Sequence, residues 1–488
     1  MKKGFLAGVL PALALAACTT VGPDYERPDL ALPGQYPAEA TPTKGEKPDA
    51  DTKATSAEIP EGWWTLYRDP LLEALIASAQ QNNADLRLAA ARVLEAEAQL
   101  REAGAAFYPE VIGGFSATRN RVSERTEPAP PSTAPLERRQ HQLLASTSFE
   151  VDFWGRLSRL NEAGQALLLS SAYSRDTILL TLAGATAQAY FALRSLDAQI
   201  AVLERSIAAR ADALEIAQAR LEAGLASELD VYQARSALAD ARVQRREAVR
   251  QRSLVERQLA QLTGRLDLDV PAGELFALPV PPVPPAGLPS ALLERRPDVR
   301  AAEQTLVAAN AQIGVARAAL FPTITLTAAL GSQSAEFSKL LSSGAGIWSL
   351  GFGLALPLFD AGRREARVDQ ADARRVQAVA TYQRAIETAF REVSDALVSI
   401  EQARASEAEL GERLQAARNA LELSTLRYES GYSPFLEVLD AQRTANEAEL
   451  AFVRNRQARL AFSVDLMRAL GGGWNPKTFI SKSGTGAD

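Results

Sequence analysis

The chain has 488 residues, a formal net charge of −6, and 47% apolar against 23% charged residues. Its one Cys and one His exclude an internal disulfide, a Cys/His zinc cluster and any Ser-His-Asp triad that does not use His141. Gly and Pro are at ordinary levels for a folded chain, and the acidic balance presents no basic patch for nucleic acid.

Lys2 and Lys3 precede an apolar run from Phe5 to Ala17. This is the pattern of a secretory signal, and the run is too short to span a bilayer as a helix. It ends Leu15-Ala16-Ala17-Cys18, which resembles a bacterial lipobox. In that reading residues 1–17 are the signal peptide, cleavage precedes Cys18, and Cys18 carries a covalent lipid. An ordinary cleavage site with an incidental Cys is the alternative, but the only Cys stands at the one position a lipobox requires. Cleavage removes two Lys and leaves 51 − 59 = −8. Thr19 follows, where an Asp would favour retention at the inner membrane, so it favours the outer one. Residues 18–60 are Pro-rich and predict an extended segment over the surface.

Residues 61–265 form a first unit. Asn83 to Ala106 reads as helix and stops before Pro109. Two strands follow, at about 110–121 and 141–154. In the second, Leu143, Ala145, Thr147, Phe149, Val151 and Phe153 alternate with Leu144, Ser146, Ser148, Glu150 and Asp152. A Pro-rich stretch at Pro128-Ala129-Pro130-Pro131 predicts an exposed loop between them. No Pro occurs from Arg156 to Ala223, where a long helix is predicted. Leu193, Ile200, Ile207, Leu214 and Leu221 keep a seven-residue step, with Leu196 and Leu203 between, as in a coiled-coil seam. Such a helix would be roughly 100 Å long. It ends at Gly224, after which a shorter helix returns antiparallel.

Residues 266–288 are Pro-rich and read as a linker or belt. Residues 289–472 then repeat the plan, with strands at about 322–333 and 346–359 and a long helix at about 362–430; 473–488 form a tail. Ala105-Ala106-Phe107-Tyr108-Pro109 recurs as Ala318-Ala319-Leu320-Phe321-Pro322 at an offset of 213. Leu221-Glu222-Ala223-Gly224 with Leu229-Asp230-Val231 recurs as Tyr428-Glu429-Ser430-Gly431 with Leu436-Glu437-Val438 at an offset of 207. The four strands have one apolar face and one small or polar face, as in a membrane barrel with a wet lumen. A soluble sandwich is the alternative, and four strands, two per half, are too few for either fold in one chain.

These features resemble the TolC-like outer membrane factors, in particular the lipoprotein branch that serves resistance-nodulation-division (RND) efflux pumps. The motifs are Val21-Gly22-Pro23-Asp24-Tyr25-Glu26-Arg27-Pro28, Trp63-Trp64, Asp69-Pro70-Leu71, Asn83-Ala84-Asp85-Leu86, Arg295-Arg296-Pro297-Asp298-Val299, and Leu356 through Arg364. They cover nearly the whole mature chain in order. The resemblance implies a mainly α protein with membrane β structure: a homotrimer whose 12-stranded β-barrel continues into an α-helical coiled-coil barrel across the periplasm. It also implies a periplasmic adaptor (membrane fusion) protein, an inner-membrane RND transporter and outer-membrane lipid as partners. No cofactor is expected beyond the lipid on Cys18.

A duct needs a barrier rather than catalysis. The resemblance places it at the helix tips, where Asp230, Glu437 and Asp440 match acidic constriction positions and Tyr432 matches a bracing one. A ring of like charge would favour cations. The alternative is an acid favoured in a helix's first turn. Half one has Gln233 where half two has Asp440, and the second tip lacks the family's loop Arg, so the closing network does not carry over whole. The turns at Gly224 and Gly431 are the candidate adaptor-docking points. Phe107, Tyr108, Phe153, Trp154, Phe321 and Phe359 suit an interfacial aromatic belt or packing at the base of the strands. Trp63 and Trp64 read as core anchors, and His141 as an exposed residue opening the second strand. An outer-membrane efflux duct is the leading reading. A type I protein-secretion duct, a structural coiled-coil lipoprotein and an envelope enzyme are the competitors, and the lone His and the amphipathic strands weigh against the last two.

Overall fold

A computed structural model describes residues 20–29, 33, 36, 59–125, 127, 135–284 and 292–474. The signal segment 1–17, Cys18, Thr19, the Pro128-to-Pro131 loop and the tail from 475 on lie outside the described residues, as does most of the 30–58 segment. The regular elements are α1 (Pro70–Asn82), α2 (Ala84–Ala105), β1 (Glu110–Arg121), β2 (Glu137–Val151), α3 (Arg156–Glu222), α4 (Glu228–Thr263), α5 (Pro297–Ala318), β3 (Thr323–Ser334), β4 (Gly346–Ala355), α6 (Arg363–Glu429) and α7 (Phe435–Ala469). Both long helices, α3 and α6, run unbroken for 67 residues. Contacts divide the chain into two compact units, and α3 and α6 contribute to both.

One unit, built from residues 1–29, 92–171 and 302–382, holds an antiparallel sheet in the order β1-β2-β3-β4. The register puts Phe115 opposite Leu143, Ala145 opposite Leu330, and Leu330 opposite Trp348. Alternation then gathers Val111, Phe115, Leu143, Phe149, Leu326, Leu330, Trp348, Leu350, Phe352 and Leu354 on one face. That face is open: Trp348 is 77% and Leu350 78% exposed. The other face carries Ser146, Ser148, Thr325, Thr327, Ser349, Gly351 and Gly353. There Thr327 sits opposite Gly351 and Thr325 opposite Gly353. A Cβ on Gly351 would stand 2.6 Å from the Thr327 hydroxyl, and one on Gly353 2.7 Å from that of Thr325. β1 and β4 are edges with unpaired backbone groups.

Three strand limits differ from expectation. β2 starts at Glu137 rather than about 141, because its pairing with β1 continues to Arg121 opposite Glu137 and Arg119 bonds the Glu137 carboxylate. It stops at Val151 rather than 154, because the Asp152 carboxylate turns to accept the Leu157 and Ser158 N–H groups at the start of α3 (2.9 and 2.8 Å). β4 ends at Ala355, opposite the first residue of β3, and Pro357 could donate no ladder bond beyond it. His141 consequently lies inside β2 and is half-buried, with Phe115 and Phe337 rings at 6.5 and 5.8 Å, not simply exposed. Trp154 stacks on Phe321 (4.7 Å) and donates to the Pro322 carbonyl (2.8 Å). Tyr108 and Phe359 are exposed. Residues 20–29 adopt no regular element. They are strapped down by Arg159–Asp24 (2.7 Å), by Arg27 on Glu303 and by Asn310 donating to the Pro23 carbonyl.

The other unit, residues 30–91, 172–301 and 383–488, holds the main core. Trp63, Tyr67, Leu72, Ile76, Phe191, Leu193, Leu259 and Leu460 meet there, and Trp63 is fully buried against Trp64 and Tyr67. Two of the sequence motifs are helix caps. Asp69 accepts from Leu71 and Leu72 N–H, and Asn83 from Asp85 and Leu86 N–H. Leu193, Leu196 and Leu203 of the seven-residue seam are buried.

The Pro-rich stretch is clamped by buried charge. Asp197 is 4% exposed and binds Arg194 (3.0 Å), Arg252 (2.6 Å) and the Gly273 N–H (3.1 Å). Arg194 donates on to the Pro271 carbonyl and Arg252 to that of Val270, while Glu256 accepts from the Val270 N–H.

Candidate functional site

The candidate site is the pair of turns joining α3 to α4 and α6 to α7. Both are built from the same backbone motif. Gly224 N–H bonds the Leu221 carbonyl (2.9 Å) and Leu225 N–H that of Arg220 (2.7 Å). Gly431 bonds Tyr428 (2.9 Å) and Tyr432 bonds Arg427 (2.8 Å) in the same way. These are Schellman stops, and they need a left-handed residue: φ is +72° at Gly224 and +80° at Gly431.

The side chains at the two tips have diverged. In the first, Ser227 caps α4 and forms a capping box with Asp230, Asp230 N–H to Ser227 Oγ at 3.3 Å and Ser227 N–H to Asp230 Oδ2 at 3.2 Å. Asp230 is half-buried, and within one chain it holds the local role the first-turn reading foresaw. In the second, the cap is Pro434, which has neither an N–H nor a side-chain acceptor. Glu437, at the position equivalent to Asp230, pairs instead with Arg427 across the turn (3.2 Å). Asp440 is exposed and pairs with Arg443 one turn on (2.8 Å). Tyr432 is 80% exposed, so within one chain its ring braces nothing.

The bracing aromatics are Tyr428 and Phe435, with ring centroids 5.3 Å apart. They pack with Ala217, Val231, Ala234 and Val438 into one small core that ties both tips together. Burial pushes the Tyr428 phenol above its ordinary pKa, with Arg220 opposing. Arg220 is the residue sequence reasoning missed. From the last turn of α3 it donates to the Tyr428 (2.8 Å) and Glu429 (3.3 Å) carbonyls at the end of α6, with its guanidinium 4.7 Å over the Tyr428 ring. It thus caps the neighbouring helix's negative end. The signal was available: Arg220 and Arg427 are equivalent at the offset of 207, each four residues before the turn glycine.

Around the turns the tips expose Leu225, Leu229 and Tyr232 in one half and Tyr432 and Leu436 in the other. Leu225 matches Tyr432 and Leu229 matches Leu436 at the same offset. Clustered exposed apolar side chains of this kind mark interaction surfaces. Among the described residues no group of three or more His, Cys, Asp or Glu could hold a metal ion. No described helix is long and apolar enough to cross a membrane.

Comparison with known proteins agrees with this architecture. The chain is 36% identical over 484 residues to the toluene efflux pump outer membrane protein TtgF of Pseudomonas putida, covering 97% of this chain and 98% of that one. The outer-membrane channel OprN superposes with a TM-score of 0.85 at 28% identity, over 94% of this chain and 100% of the other. The open-state MtrE outer membrane channel of Neisseria gonorrhoeae gives 0.81 at 29% identity, over 93% and 98%. The family model for outer membrane efflux proteins matches residues 75–265 and 288–472, one match in each repeat. A duplicated helical hairpin with a four-stranded sheet, matched in both halves, makes this chain a member of the outer membrane efflux protein family, with the TolC-like fold.

Proposed function

We propose that this chain is the outer-membrane duct of a tripartite RND-type efflux pump, acting as a homotrimer. The open four-stranded sheet carries the reading. One copy has two unpaired edges, an exposed apolar face and a polar face. Three copies joined β1 to β4 give twelve strands with no edge left, apolar outside and hydroxyl-lined within. The exposed apolar tips at Gly224 and Gly431 would receive a periplasmic adaptor protein, which links the duct to an inner-membrane transporter. A channel role leaves no chemistry for an enzyme to do.

Relatives named for toluene, solvent and antibiotic efflux support small hydrophobic compounds as the exported class. Deleting the gene is expected to lower the minimal inhibitory concentrations of such compounds, with recovery on complementation. Unchanged susceptibility together with loss of a secreted protein would favour the type I secretion reading instead. Asp230, Glu437 and Asp440, tripled by symmetry, are proposed to form the acidic gate, with Tyr432 reaching a neighbouring copy.

Cys18 is proposed as the lipid anchor. Growth with radioactive palmitate is expected to label the mature protein and to leave Cys18→Ser unlabelled. An unlabelled wild-type chain would remove the anchor from the proposal.

A further inference from the structure

The outward face of the β1-β2 hairpin changes character along its length. Val111, Phe115, Leu143 and Phe149 are apolar. Beyond them, at the end away from the helix junctions, the same face carries Arg119, Arg121, Arg139 and His141. Arg119 lies directly opposite Arg139 in the register. Like charges paired directly across strands destabilise a sheet. Glu137 offsets Arg119, bonding it at 3.1 Å, and Glu124 lies 3.4 Å from Arg121. The Arg139 side chain is exposed and has no ion pair or hydrogen bond among the described residues. Residues 118–141 hold five Arg and three Glu in a chain that is acidic overall.

In the proposed barrel the neighbouring copy's β4 brings no acid to these arginines. There β1 meets the partner's β4, and no acid occurs between Glu336 and Asp360. The level of the arginines fits a different occupant. From Val111 to Arg119 is eight residues, about 27 Å along a strand, or roughly 20 Å of membrane depth at the usual barrel tilt. With Val111 taken at the lower rim of an apolar band about 25 Å tall, the arginines stand near its upper edge. Just below the arginines sit the rings of Phe115, His141 and Phe337, with Phe115 and Phe337 exposed, which suits an interfacial belt.

We infer that Arg119 and Arg139 form a docking site for the phosphate groups of a phosphorylated glycolipid in the outer leaflet, with Phe115, His141 and Phe337 against its acyl–headgroup boundary. Guanidinium groups suit this ligand because they hold phosphate oxygens through two parallel N–H donors. The inference rests on the barrel reading above.

The test uses the full-length protein in detergent, with three probes: bis-phosphorylated lipid A, the same lipid stripped of phosphate, and inorganic phosphate. Wild type is expected to bind the phosphorylated lipid about tenfold or more tightly than the stripped one, and R119Q/R139Q to lose that preference. Arg138→Gln, on the opposite face of β2, is expected to keep it. Equal binding of both lipids by wild type, or equal loss in Arg138→Gln, overturns the site. Displacement of the lipid by inorganic phosphate at matched concentration overturns the lipid as the source. Insertion of each protein into phosphatidylcholine bilayers, read as channel conductance, is scored separately. Wild type that inserts without phosphate preference sinks only this site, whereas wild type that fails to insert sinks the barrel reading and the site with it.

Discussion

Asp197→Ala is expected to lower the stability of its unit by about 3–5 kcal/mol and to free the Pro-rich stretch around residues 270–273. The size follows from what the carboxylate leaves behind. Arg194 and Arg252 are 6% and 18% exposed, and both point at Asp197. Without it two guanidinium groups stay in a poorly solvated site, and the Gly273 N–H loses its acceptor. Chemical unfolding followed by Trp63 and Trp64 fluorescence would give the loss, and trypsin cleavage at the exposed Arg265 would report release of the stretch. Replacing the whole cluster by apolar side chains (Asp197→Leu, Arg194→Met, Arg252→Met) should recover much of it, since the penalty belongs to the unpaired charge. An unfolding midpoint unmoved by Asp197→Ala would mean the clamp carries no net stability.

Arg220→Ala is expected to have the largest effect on conduction. Its bonds to the Tyr428 and Glu429 carbonyls join the end of α3 to the end of α6. Hydrogen bonds from a charged donor contribute about 1.5–3 kcal/mol, enough to shift a closed-to-open balance by about tenfold to a hundredfold. In planar bilayers Arg220→Ala should therefore raise open probability or conductance. Asp440→Ala should raise conductance or lower cation selectivity, because it removes one acid per copy from the proposed ring. Arg220→Lys should fall between wild type and Ala, keeping the charge and losing the planar stack on Tyr428. Single-channel records indistinguishable from wild type would remove Arg220 and Asp440 from the gate.

The fold was legible because its signals are periodic. Alternation marked all four strands, the Pro-free run marked α3, and the offsets of 207 and 213 marked the duplication. Strand limits were less legible, since they depend on partners. Asp152 looks like a strand residue until the N–H groups it caps are in place, and Glu137 looks like loop until Arg121 is opposite it and Arg119 bonds its carboxylate. The tip was half legible. Gly224, Gly431 and the Asp230–Glu437 pair follow the repeat, but Tyr428 and Arg220 owe their roles to the meeting of α3 with α6. That contact joins residues more than 200 positions apart, and no local pattern announces it. The same holds for the Asp197 clamp, where three separate stretches converge on one carboxylate.

The threonine–glycine pairs on the polar face of the sheet restrict how this wall can evolve. A Cβ at Gly351 or Gly353 would crowd the hydroxyl of Thr327 or Thr325. Neither glycine can therefore grow unless its threonine turns aside or shrinks. A change of bore is easiest when both codons move together, and in the proposed trimeric barrel each change is made three times over. Such a lining resists gradual drift, while the apolar outer face stays free to vary one residue at a time.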